Sequence, residues 1–503
     1  MTEQYDIIIV GTGAGGGTMA HALSQTDARV LVIERGDFVP QEDQNWSPEA
    51  VWKQLRYQTK ERWLDDRGRE FSPYSHYCVG GNTKFWGSVL YRLRREDFQD
   101  LQHVDGVSPA WPIDYDTLEP YYERAERLYH VRGQHGVDPT EPSRGPYPYS
   151  AVPHADGMAS IVSALEQQGL HPSPLPLGLL RLGETDGCIL CNTCNSFACK
   201  LHAKSEADVC CVRHAMARPN VTLWTNTEAT RLVTDARGRK IEAIEVRRNG
   251  EIMRVHAPLF VVSCGAVNSA ALLLRSANDK HPKGLANSSG LVGRRYMAHL
   301  ATMMQAFHPF KVNPTVFQKT VAINDFYLRG PKSGYPLGQI QSQGRTHGIM
   351  VQTVYPQVPV WAYDWWVARG VDWLLMSEDL PEVENRVEVN GDGRIRLIYK
   401  PNNLRAHARL VKETKRILRR VGFWFIVKHS HGARNTTHQC GTLCFGNDPR
   451  RSVLDPFCRT HDIENLFVVD ASFFPSSAAV NPGLTIAAQA LRVADHITRE
   501  DLN

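Results

Sequence analysis

Tyr5-Asp-Ile-Ile-Ile-Val10-Gly-Thr-Gly-Ala-Gly-Gly16 decides the fold. Its β-branched first half suits a strand buried on both faces of a parallel sheet. Its second half fits G-x-G-x-x-G. Met19, Ala20 and Leu23 follow as small or apolar residues of a helix packed closely on that strand, and Arg29-Val-Leu-Val-Ile-Glu34 reads as the next strand. The whole is a βαβ unit. In this setting Gly11, Gly13, Ala14 and Gly16 let the backbone turn tightly and approach a pyrophosphate held at a helix N-terminus. Glu34 closes the second strand 18 residues after Gly16, where a carboxylate accepts hydrogen bonds from ribose hydroxyls. FAD and NAD both satisfy this pattern.

Around this unit the composition is that of an ordinary globular chain: 503 residues, 42% hydrophobic and 22% charged, with 57 Lys+Arg against 53 Asp+Glu for a net +4. The charges are interspersed, so the basic footprint that nucleic acid needs is missing. The longest apolar runs, Ile7–Val10 and Leu259–Val262 among them, fall far short of the ~20 residues of a membrane span. Met1-Thr-Glu-Gln-Tyr5 leads straight into a strand without the features of an export signal. A cytoplasmic protein is expected, monomeric or homodimeric, whose eleven cysteines form no disulfide framework and are left for free thiols, metal ligation or redox roles.

Further strands are predicted at Val221–Thr225, Thr230–Thr234, Ile241–Val246 and Leu259–Val262, and helices at Leu118–Tyr129 and Ala266–Arg275. Near the C-terminus a strand-like run, Asn465-Leu-Phe-Val-Val-Asp470, enters a turn. Leu484, Ala487, Ala488, Leu491 and Ala494 then form one helical face, which predicts a helix with Asn481 as N-cap and Pro482 at its first position. Its positive end suits the negative charge that gathers on a reduced flavin. His438, upstream of that helix, is the side-chain type matched to taking a proton from an alcohol near neutral pH.

The chain resembles the glucose–methanol–choline oxidoreductases. The resemblance rests on the first glycine loop, Val79-Gly-Gly-Asn-Thr-Lys-Phe-Trp-Gly87, Ser263 to Leu274, Ser289-Gly-Leu-Val-Gly293, His438-Gln-Cys-Gly-Thr442 and Asp470 through Thr485. It implies an α/β fold in which a Rossmann-type, three-layer FAD-binding domain (1–100, 215–300 and 426–503) is interleaved with a substrate domain on an antiparallel sheet (101–214 and 301–425). It also implies FAD-dependent oxidation of an alcohol by hydride transfer to flavin N5, with His438 as general base and Asn481 holding the substrate hydroxyl. Gly80, Gly81, Asn82, Thr83, Asp470, Ala471, Asn481 and Pro482 would line the cofactor, and Ala229 would meet its adenine through the backbone. Residues 79–87 contain no histidine, so FAD is expected to be noncovalent.

Cys188-Ile-Leu-Cys191-Asn-Thr-Cys194-Asn-Ser-Phe-Ala-Cys199 puts four thiols in 12 residues of a cysteine-rich loop, 188–211. That spacing admits zinc or an iron–sulfur cluster. Some relatives in the family carry a cluster in a comparable loop beside an Ala-Lys pair, here Ala203-Lys204. A packed loop of reduced or partly disulfide-linked thiols bordering the site is the other reading, and Cys440 and Cys444 are read as unmodified thiols near the pocket. His429 and His431 read as structural or pocket-lining residues. Tryptophans between Trp361 and Trp373 are candidates for stacking on a sugar face or for core positions. Ser377 to Val387 resembles a sheet segment of sugar and polyol dehydrogenases of the family, which points to a sugar, glycoside, aminoglycoside or polyol hydroxyl, with oxygen or another acceptor taking the electrons. The alternatives are a dehydrogenase of a sterol or other alcohol that passes electrons through a cysteine-ligated cluster, and a non-catalytic flavin-bearing electron-transfer subunit. A pyridine-nucleotide reductase would need a second nicotinamide-binding glycine motif, and none is found.

Overall fold

The structure, a computed structural model, describes residues 4–331, 334–432, 434 and 436–502. Five parallel strands stand in the order Val221–Trp224, Val30–Ile33, Ile7–Val10, Leu259–Val262 and Leu466–Val468. Ile7, Ile8 and Ile9 are fully buried, as an apolar run covered on both faces must be. The helix Ala14–Leu23 follows the first strand directly and packs on the terminal helix Gly483–Glu500, which also packs on Tyr115–Leu128. The helix Ala266–Arg275 matches its predicted span and lies against an antiparallel meander, Thr227–Thr234, Ile241–Arg248 and Glu251–His256.

A six-stranded antiparallel sheet runs Phe425–Ser430, Leu300–Phe307, Gly370–Ser377, Gln339–Ser342, Val321–Ile323 and Pro172–Pro174. Alternation along these strands separates two faces. Met304, Ala306, Ile340, Trp373 and Leu375 form a core with the helices Asp156–Glu166 and Leu404–Val421. Met303, Gln305, Gln341 and His429 occupy the alternate positions and turn away from that core. The two expected components, a Rossmann-type parallel sheet with helices and an antiparallel sheet, are therefore both present. Among the described residues no helix is long and apolar enough to cross a membrane.

Two local expectations are corrected. The terminal helix begins at Gly483 with Pro482 in the N-cap place, so Asn481 lies one residue outside and does not cap it. The segment 377–387 is mostly a connection: one strand ends at Ser377 and the next begins at Arg386. Its residues Glu378 and Asp379 are buried, with Asp379 Oδ2 accepting from Ala298 N at 3.0 Å and from Tyr399 OH at 2.8 Å.

Candidate active site

Thr12, at the first variable position of the glycine loop, joins three parts of the site. Its backbone N and Oγ1 donate to Glu34 Oε2, and the same Oγ1 accepts from Gly80 N at 3.0 Å. The two glycine segments are thereby locked together. Gly11, at φ +97°, needs its conformation and its missing Cβ, which would lie 2.3 Å from Ser263 O. Gly13 is different: a Cβ there would meet nothing within 4 Å, and the helix it introduces has no side-chain cap. Open space therefore lies before unpaired backbone donors, as a pyrophosphate cradle requires.

Glu34 is buried, which pushes its carboxyl pKa up, and it also accepts from Gly36 N at 3.1 Å. Thr12 and Gly36 are among its chain donors, and a carboxylate of this kind is the acceptor a ribose hydroxyl needs. Beside it, Thr227 N donates to Glu34 O at 2.9 Å, and the strand pairing slips between Ala229 and Arg231. That irregularity falls at the residue expected to present backbone to the adenine. In the second glycine segment Asn82 Oδ1 accepts from His76 N, while Thr83 Oγ1 donates to Gly80 O and accepts from Ala207 N. Trp86, at its end, reaches the terminal helix, where a Cβ on Gly483 would lie 2.4 Å from the indole ring.

Asp470 is tied to the chain: its carboxylate accepts from Gly265 N, Ser269 Oγ and Ser472 N. Burial raises its pKa. Ala471, next to it, is buried and accepts from Gly441 N through its carbonyl. Asp470 thus anchors the helix Ala266–Arg275 to the turn that leads towards Asn481. Asn481 Oδ1 is buried without a hydrogen-bond partner in the chain. An uncapped cradle at one end and an unspent amide oxygen at the other fit an extended dinucleotide such as FAD.

His438 Nδ1 lies 3.0 Å from His299 Nδ1, and His299 Nε2 lies 3.0 Å from Ser477 O, four residues before Asn481. Burial first, then the positive charges available to His299, His431 and Lys319, push the His438 pKa down to about 3, so the ring is neutral. His431 is likewise driven down to about 4, while His429 sits on an exposed edge strand near Tyr355. Lys319, 1% exposed, donates to Gly87 O and Asn195 Oδ1.

The cysteine loop is held by an ammonium group. Lys204 Nζ donates to the carbonyls of Lys84, Trp86, Cys194 and Phe197, stitching the loop to the second glycine segment. Below it Lys84 makes buried ion pairs with Glu206 and Asp208. The iron–sulfur cluster that the cysteine spacing admitted is not supported: among the described residues no group of three or more His, Cys, Asp or Glu is arranged to hold a metal. All eleven cysteines are free thiols. Burial pushes the Cys188 thiol up to about 12 and raises that of Cys194. Cys440 and Cys444 are also buried. Of the tryptophans considered for sugar stacking, Trp373 is fully buried in the core behind the sheet, Trp366 packs on Phe307, and Trp361 and Trp365 are exposed.

Nothing local in the sequence marked Thr12, His299 or Lys319. Lys204 had a signal in the Ala-Lys pair.

A Rossmann-type glycine cradle, a buried imidazole and an unspent amide are features that a nucleotide-dependent oxidoreductase needs. A GMC oxidoreductase family model matches residues 5–301 and a second matches 381–490. The chain is 31% identical over 513 residues to paromamine 6'-oxidase of Streptomyces fradiae, covering 97% of this chain and 90% of that protein. It is 30% identical over 532 residues to 6'''-hydroxyparomomycin C oxidase of Streptomyces lividus, covering 99% and 92%. Among solved structures, pyridoxine 4-oxidase from Mesorbium loti has the same fold, with a TM-score of 0.70 at 19% identity over 99% of this chain and 100% of that one. The chain belongs to the GMC oxidoreductase family, FAD-dependent enzymes that act on alcohol groups.

Proposed function

We propose that this enzyme oxidises a hydroxyl of a sugar, glycoside, aminoglycoside or polyol to the carbonyl, with His438 as base, Asn481 as the group that orients the hydroxyl, and oxygen as final acceptor. FAD, held noncovalently by the two glycine segments, supplies the two-electron acceptor for the carbinol hydride. His438, kept neutral by burial, takes the hydroxyl proton. The Asn481 amide fixes the same oxygen, contributing orientation rather than charge. Overall the alcohol loses two electrons and two protons, and oxygen takes them up as hydrogen peroxide.

The observation that carries this reading is the buried neutral imidazole, linked through His299 to the turn that bears the unspent Asn481 oxygen. The substrate class is supported by the two oxidases similar to this chain. In the test, His438→Ala retains FAD absorbance, whereas anaerobic bleaching by the best member of a panel of glycosides, aminoglycosides and polyols slows by on the order of 100-fold or more. Bleaching at the native rate removes His438 from the role. A panel that leaves the native flavin oxidised removes the substrate class.

A further inference from the structure

Two backbone hydrogen bonds clasp the segments that carry the paired histidines. Met297 N donates to Cys440 O at 3.0 Å, and Cys440 N to Met297 O at 2.9 Å. His299 and His438 each lie two residues from this clasp, so their rings face one another across chain stretches separated by 139 residues. The position of both rings is set before any substrate arrives.

The hydrogen positions follow from the partners. A carbonyl oxygen only accepts, so the contact of His299 Nε2 with Ser477 O places a proton on that nitrogen. His299 is 2% exposed, and burial lowers its pKa. A neutral imidazole carries one N–H, which leaves His299 Nδ1 as a bare acceptor. Its partner at 3.0 Å is His438 Nδ1, so the proton in that contact belongs to His438. His438 is neutral as well, and its remaining nitrogen, Nε2, carries the lone pair.

We propose that His299 is a positioning residue: by accepting from His438 Nδ1–H it holds the catalytic ring in one tautomer and orientation, with Nε2 bare to take the substrate's hydroxyl proton. The proposal rests on the reading of His438 as the base. When the proton arrives, the His438 imidazolium keeps its Nδ1–H on His299, and that hydrogen bond becomes charge-assisted and stronger. Without His299 the proton on His438 is shared between the two nitrogens, and a fraction of molecules presents N–H where a lone pair is needed. His431 and Lys319 are the other groups that bear electrostatically on His438, and Glu378 bears on His299. Glu378 is itself engaged by His103 Nε2, Ser108 Oγ and Ala478 N, and Asp379 by Tyr399 and Ala298. His299 is therefore the group in hydrogen-bond contact with the Nδ1 side of the His438 ring.

The experiment uses the FAD-loaded protein labelled with 15N-histidine, together with anaerobic flavin reduction by the best substrate of the panel. In the native protein the His438 signals, identified by their loss in His438→Ala, report a protonated Nδ1 and a bare Nε2. His299→Leu removes the acceptor: the His438 pattern becomes a tautomer mixture and flavin reduction slows by on the order of 100-fold. His299→Asn restores an acceptor oxygen near the place of Nδ1, returns the native nitrogen pattern, and reduces flavin at least about tenfold faster than the Leu variant. A native His438 protonated on Nε2 overturns the proposal, as does a Leu variant that reduces flavin at the native rate. Should the Leu variant fail to hold FAD, the native nitrogen pattern still decides the outcome. The His438→Ala control separates the two readings: if it alone is slow, His299 loses its role; if it is as fast as native, the base assignment itself falls.

Discussion

Lys319 shows how far burial strains a single side chain. Its ammonium has uncharged partners, Gly87 O and Asn195 Oδ1, and burial pulls its pKa down to about 8 from the ordinary 10.5. Between those values the unfolded chain binds the proton and the folded chain does not, so stability rises with pH across that window. Below pH 8 both states are protonated and the burial cost stands in full, roughly 3 kcal/mol. Lys319→Met is therefore expected to melt higher than native at pH 7, with the gap closing as the pH is raised from 8 towards 10.5. Thermal melts across that range check it, and a gap that stays flat contradicts a cationic Lys319. At this scale Glu34 and the glycines are legible because they sit in a short motif whose spacing carries its chemistry, whereas His438 and Asn481 are singled out through a family resemblance. Thr12 fills a position the motif leaves open. His299 and Lys319 act across more than a hundred residues of chain, a distance that no local pattern spans.

At the scale of elements, close approach sets the geometry of the cofactor layer. Gly15 lies in the helix Ala14–Leu23 where it crosses the end of the last parallel strand, and a Cβ there would stand 1.7 Å from Val469 O. Backbone cannot yield as a flexible side chain can, so the helix would have to move off the sheet. Gly15→Ala is expected to cost about 3 kcal/mol and to cut flavin content at least several-fold, read from melting and from absorbance per chain. Unchanged flavin content would contradict this packing. The β-branched runs of the parallel sheet announced themselves in the sequence, and the helix Ala266–Arg275 was bounded correctly. The strand Gln339–Ser342 did not stand out, since its alternate positions are glutamines. They are polar because that face turns away from the core, and their polarity hides the strand.

At the scale of the molecule, the parallel sheet gathers strands from near the beginning, the middle and the end of the chain. The last strand pairs with Leu259–Val262, and the terminal helix is buried along most of its length. A chain stopped after Phe474 loses that helix and Asn481 together, and is expected to give aggregated protein without flavin absorbance; a soluble yellow product would contradict this.

The thiols acquire a second meaning if the enzyme hands its electrons to oxygen. Peroxide attacks cysteine through the thiolate, and burial holds Cys188, Cys194, Cys264, Cys440 and Cys444 well on the protonated side. A catalyst that made an oxidant in its own interior would then carry sulfur at these positions in its least combustible form.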